Sequence, residues 1–138
     1  MPAFGILLVE DNPADARLVE RAVSGLGDRC VLHQAADGVE AMDFLRREGG
    51  PIPALVLLDI RLPRKGGHEV LSEIRADPRL SLIPVIMMSS SDAEEDVLLS
   101  YRSGANCYLM KPVTPKGFQE ALSVLLEFWL THARLPPR

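Results

Sequence analysis

Several things are scarce in this sequence. Only 2 of its 138 residues are cysteine, and no Cys/His cluster has the spacing of a zinc site. A disulfide-built scaffold and a Cys/His metal centre are therefore excluded. Cys30 and Cys107 lie in apolar stretches and read as buried free thiols of a reducing compartment. No apolar run exceeds about five residues, far short of the roughly 20 that a membrane span needs. Positive charge is also short. Lys and Arg number 15 against 19 Asp and Glu, a net charge of −4, and they form no basic stripe. Such a chain is not built mainly to grip nucleic acid. Its start, Met1-Pro2-Ala3-Phe4, has neither a basic region nor a long apolar core, so no signal peptide is expected and the location expected is cytoplasmic. No glycine-rich turn follows the first apolar run, which counts against nucleotide or flavin binding.

What remains is the profile of a globular protein, with 47% apolar and 25% charged residues. The mass of 15.2 kDa suits one domain, expected to occupy residues 1–138. Short apolar runs alternate with amphipathic stretches five times. The runs Phe4–Val9, Leu55–Leu58 and Pro84–Met88 read as strands buried on both faces. Cys30–Ala35 and Cys107–Met110 are weaker strand candidates.

The helices between them carry start and stop signals. Asn12 before Pro13 caps the first, with Leu18, Ala22 and Leu26 as its expected inner stripe. Asp37 and Glu40 form a capping pair for the second, expected to run to Gly49-Gly50. Val70, Leu71 and Ile74 mark the third. Asp92 and Glu95 are spaced to cap the fourth, with Val97, Leu98 and Tyr101 along it, and Thr114 opens the last. Five strand-then-helix repeats predict an α/β fold. It is a doubly wound, five-stranded parallel sheet in the order 2-1-3-4-5 with five helices, and its ligand crevice lies at the carboxyl ends of the strands.

The residues that end strands then share one edge: Glu10-Asp11, Asp59, Ser89 and Lys111. Three carboxylates and one ammonium leave an excess of negative charge that either raises a carboxylate pKa or recruits a cation. All-oxygen ligands suit Mg²⁺, whose shell phosphate oxygens commonly complete. Lys111 can neutralise a phosphoryl group and Ser89 can hydrogen-bond it. Asp59 stands alone after the most apolar strand and is the best nucleophile. Glu10 and Asp11 suit metal holding.

This ordered set, with Pro63 and Gly67 behind Asp59 and Pro112 after Lys111, resembles the flavodoxin-like receiver domain of two-component response regulators over nearly the whole chain. The resemblance implies that Asp59 accepts a phosphoryl group from a sensor histidine kinase. It implies Mg²⁺ on Asp11, Asp59 and the backbone carbonyl of Arg61, with Glu10 acting through water. It implies Lys111 beside the phosphoryl group, a cis Lys111–Pro112 bond, and Ser89 and Tyr108 as switch residues, Tyr108 moving inward on phosphorylation. Glu10, Ser89, Leu62 and Gly66 depart from the commoner family residues. The Phe128-Trp129-Leu130 ending and the acidic opening of the fourth helix resemble stand-alone regulators paired with bacterial phytochrome kinases. Ala14 and Leu18 are then expected to meet the kinase.

With little chain after the last helix, output must come through the domain's own surface. At 100° per residue the apolar positions of the last helix span an arc of about 240°, well beyond what one sheet covers. The helix and tail, residues 114–138, are therefore expected to form a homodimer, with no direct contact to nucleic acid or membrane. Three other functions compete. A Mg²⁺-dependent phosphatase or phosphotransferase with Asp59 as nucleophile lacks a second acid and a cap. An unphosphorylated receiver-like binding module would not need the full site. A flavodoxin-like electron carrier lacks a phosphate loop.

Overall fold

The computed structural model describes residues 4–137. Met1 to Ala3 and Arg138, on which the leader-free start and the end of the tail partly fall, lie outside the described residues. The sheet contains β1 (Phe4–Val9), β2 (Cys30–Ala35), β3 (Leu55–Asp59), β4 (Val85–Ser89) and β5 (Cys107–Met110). All pairs are parallel, and the order is β2-β1-β3-β4-β5. Five helices alternate with them: α1 (Pro13–Ser24), α2 (Gly38–Arg46), α3 (Gly67–Ala76), α4 (Glu94–Arg102) and α5 (Pro115–Glu127).

The central strands explain the two-layer cover. Leu55 and Leu57 of β3 face α1 and α5 and join Val19, Ala22, Phe118, Leu122 and Leu126. Val56 and Leu58 face the other way and join Met42, Leu45, Val70, Leu71 and Ile74 of α2 and α3. Alternate side chains of a strand point to opposite faces, so an unbroken apolar run needs cover on both. Each fully buried side chain of this size contributes about 1.5–3 kcal/mol.

Several local expectations are corrected. The buried stripe of α1 is Val19, Ala22 and Val23, with Leu18 and Leu26 only half-buried at its margins. Helix α2 stops at Arg46, because the Arg47–Gly50 turn closes by Gly50 N–H donating to Arg47 O and Gly49 has φ +72°. Asp92 does not cap α4. The cap position is Ala93, whose N–H donates to Ser91 Oγ at 3.2 Å, while Ser91 Oγ donates to Asp96 Oδ2 at 2.6 Å. Only Ser100 of α4 is buried. Leu98 and Tyr101 are half exposed, because this helix flanks the short edge strand β5.

The end of α5 changes pitch. Residues Phe128–His132 form a π turn, closed by Ala133 N–H donating to Phe128 O at 2.8 Å. The wider turn breaks the 100° spacing assumed for the apolar arc. Trp129 and Leu130 pack against the α1–α5 core, leaving Val124 (73% exposed) and Phe128 (51%) outside. Beyond the turn, Leu135, Pro136 and Pro137 line a cleft with Ile52, Pro53 and Leu82 at the amino edge of the sheet.

Candidate functional site

The carboxyl ends of the strands converge on an open crevice of about 800 Å³ lined by Glu10, Asp11, Asp15, Asp59, Arg61, Ser89 and Lys111, among others. Backbone pairing fixes each position. Glu10 N–H donates to Ala35 O at 3.0 Å, extending the β1–β2 ladder by one residue. Asp59 ends β3 opposite Met88, and Lys111 N–H donates to Ser89 O at 2.8 Å. Behind Asp59 the chain turns so tightly that a Cβ on Gly67 would lie 2.1 Å from the Asp59 carbonyl oxygen, so only glycine fits.

Lys111 is the hub. Its Nζ donates to Glu10 Oε2 at 2.7 Å, Asp15 Oδ2 at 2.9 Å and Asp59 Oδ2 at 3.4 Å. The other oxygen of Glu10, Oε1, accepts the Asn12 N–H at 3.1 Å. Glu10 and Asp59 are almost buried, at 6% and 7% exposure. Burial, aided by the Asp59 charge, outweighs the Lys111 hydrogen bond and pushes the Glu10 carboxyl up to about 7. Burial also works against the Lys111 ammonium, yet the hydrogen bonds from Glu10 and Asp15 more than offset it and hold it above its usual range. Three carboxylates face the Lys111 amine, so it carries its charge.

Glu10, Asp11 and Asp59 each bring one carboxylate oxygen within 4.8 Å of the others. With Asp15 added, four carboxylates share the crevice with one ammonium, and the charge excess exceeds the one read from the strand tips alone. An all-oxygen set of this charge fits a hard divalent cation such as Mg²⁺. Arg61 lines the same crevice.

The predicted switch residues are adjacent. Ser89 is buried, and its Oγ accepts the Ser91 N–H at 3.1 Å. Tyr108 is half-buried and its hydroxyl donates to Ser91 O at 2.8 Å, so it engages the β4–α4 loop. The expected cis Lys111–Pro112 bond is not found. The described residues contain no cis peptide, and the ordinary trans form, favoured by about 0.5–1 kcal/mol before proline, already lets Lys111 reach its carboxylates. Asp15 is not among the strand-tip residues to which the sequence points. The available signal was its place in the first turn of the helix that follows the acidic strand tip.

Fold and crevice together define a doubly wound α/β protein with an acidic, lysine-bridged site at its strand tips. The response regulator receiver domain model matches residues 6–123, and the chain belongs to that family. It is 42% identical over 136 residues to "Probable methanogenesis regulatory protein FilR2" of Methanothrix harundinacea, covering 96% of this chain and 88% of that one. It is also 42% identical over 139 residues to response regulator Rcp1 of Synechocystis sp., covering 98% and 95%. Among solved structures, the phosphorylated cyanobacterial phytochrome response regulator RcpA superposes with a TM-score of 0.95 at 41% identity, covering 99% of this chain and all of that one. The Mn²⁺-bound form of Rcp1 superposes at 0.92 with 40% identity, covering 97% and 99%. The chain is thus a signalling protein of the two-component type, homologous to phytochrome-associated regulators.

Proposed function

We propose that this receiver accepts a phosphoryl group on Asp59 from the phosphohistidine of a sensor histidine kinase. The observation that carries this is the meeting of Glu10, Asp11 and Asp59 oxygens within 4.8 Å beside the Lys111 ammonium. Asp11, Asp59 and the Arg61 carbonyl would hold Mg²⁺, with Glu10 acting through water. Bound there, the ion would offset charge on the transferring phosphoryl oxygens. An Asp59 carboxylate oxygen attacks phosphorus, the P–N bond to the donor histidine breaks, and an acyl phosphate forms. Lys111 then shifts its N–H toward a phosphoryl oxygen. Ser89 accepts from Ser91 N–H, which leaves its own proton to donate to another oxygen. That exchange pulls on the Ser91 segment, to which Tyr108 is tied, and so couples the site to β5 and α4.

The finer reading is a phytochrome-type pathway, a cytoplasmic location and a homodimer built on α5 and the tail. The names of Rcp1's homologue RcpA and its kin support the first. Exposed Val124 and Phe128 support the dimer, and sedimentation showing only monomer at high concentration would contradict it. The rim of Ala14, Leu18, Pro112 and Val113 offers an apolar seat for the kinase's helical bundle. The enzyme alternative would need a substrate enclosure over the crevice; its open form supports the phosphoacceptor reading instead.

Intact-mass measurement tests the central step. With a small-molecule phosphodonor and Mg²⁺, wild type is expected to gain one phosphoryl group that mild base removes, and Asp59→Asn to gain none. Turnover of a phosphate ester with no covalent adduct would instead favour the enzyme.

A further inference from the structure

Asp15 is the one carboxylate on Lys111 that the phosphoryl-transfer scheme leaves without a task. It stands in the first turn of α1, where its N–H donates to Asn12 Oδ1 at 3.2 Å, so the Asn12 cap sets its place. An ammonium has three N–H donors, and here three carboxylates take them. The contacts to Glu10 and Asp15, at 2.7 and 2.9 Å, are full charge-assisted hydrogen bonds. The contact to Asp59, at 3.4 Å, is the longest of the three.

We propose that Asp15 is a positioning residue that, with Glu10, parks the Lys111 ammonium off Asp59 in the unphosphorylated chain and is the partner released when a phosphoryl oxygen arrives. The proposal rests on the assignment of Asp59 as acceptor. The choice between the two carboxylates follows from their surroundings. The Glu10 side chain is 1% exposed and also holds the Asn12 N–H, so losing Lys111 would leave a buried carboxyl oxygen without a donor. The Asp15 side chain is 26% exposed and can replace the lysine with water. Asp15 therefore acts as a brake, because its contact with Lys111 must break before the ammonium can serve the phosphoryl group.

A double-mutant cycle tests this. The rate of adduct formation with a small acyl phosphate at saturating Mg²⁺ is followed by intact mass in wild type, Asp15→Asn, Lys111→Ala and the double variant. Asp15→Asn is expected to react about fivefold faster than wild type when Lys111 is present. In the Lys111→Ala background the gain is expected to shrink below about twofold, the residue of a screened charge change. Asp15→Glu, which keeps the carboxylate, is expected to retain most of the braking. An equal ratio in both backgrounds, or a slower Asp15→Asn, would overturn the proposal. If Lys111→Ala does not fold, Lys111→Met, which keeps the apolar stem and removes the charge, takes its place, and the gain is again expected to shrink below about twofold. A wild type that forms no adduct contradicts the Asp59 assignment itself. An adduct with equal ratios contradicts only the role of Asp15.

Discussion

Lys111 and Arg75 are two half-buried cations at opposite ends of one sheet, and they are held in opposite ways. Arg75, near the end of α3, donates only to neutral acceptors. These are Gly104 O at 2.9 Å, Ser81 O at 2.9 Å, Ile83 O at 2.8 Å and Asn106 Oδ1 at 2.9 Å. Asn106 Oδ1 in turn accepts the Val85 N–H at 2.8 Å. Burial lowers the Arg75 pKa, and no carboxylate offsets it. This guanidinium ties α3 to the segments entering β4 and β5, and every acceptor is a fixed part of the fold. Lys111 instead sits among more negative charge than it can neutralise. Its partners are side chains that can take a metal ion, a proton or water in its place. A cation among satisfied neutral carbonyls is a staple, and one among surplus carboxylates is a movable part.

Three experiments can break or sharpen that contrast. The largest effect is expected from Lys111→Ala, which should slow Asp59 phosphorylation by about 10²–10³-fold, the usual loss when a preplaced charge partner of a transition state is removed. Single-turnover labelling measures it. Any folding defect of this variant should be largely repaired by Mg²⁺, because the ion can neutralise the stranded carboxylates.

Arg75→Ala is expected to show the converse. It leaves several buried carbonyls without a donor and should cost about 3 kcal/mol in urea unfolding, with Arg75→Lys recovering little of it. Labelling of the folded fraction should be unchanged. A large rate loss in this variant would erase the distinction between the two ends.

The smallest effect expected is one of pH. Glu10 keeps its proton up to about 7 in the folded chain, against an ordinary value of 4.5. Between those values the folded chain binds more protons than the unfolded one, so stability falls as pH rises. The Glu10 contribution is full below its ordinary value and lost as pH passes its folded value. In chelator, urea unfolding should show stability declining from about pH 5 to about pH 8, with Mg²⁺ reversing the decline and Glu10→Gln flattening it. A wild-type profile that rises over that range in chelator would contradict the placement of Glu10.

Much of this was legible in the sequence, and the limits are physical. The apolar runs and their caps predicted all five strands, the sheet order and the shared edge of Glu10, Asp11, Asp59, Ser89 and Lys111. A period-2 or period-3.6 pattern says which face is inside, and it serves well where both neighbours are large, as for β3 and α3. It says less at α4, where an edge position leaves Leu98 and Leu99 half exposed. It failed after Glu127, where a π turn alters the period itself. Asp15 was missed for a different reason. Its partner Lys111 lies 96 residues away, and only the folded chain brings the two within 2.9 Å.

The most direct test is to locate the phosphoryl group. The chain is labelled with a small acyl phosphate in the presence of Mg²⁺, the acyl phosphate is reduced with borohydride, and the reduced residue is mapped by peptide mass spectrometry. The account predicts a single modified position, Asp59, whose carboxylate lies beside Lys111 and within reach of Glu10 and Asp11. Modification at Asp11 or Glu10 instead, or at no carboxylate of the crevice, would contradict it.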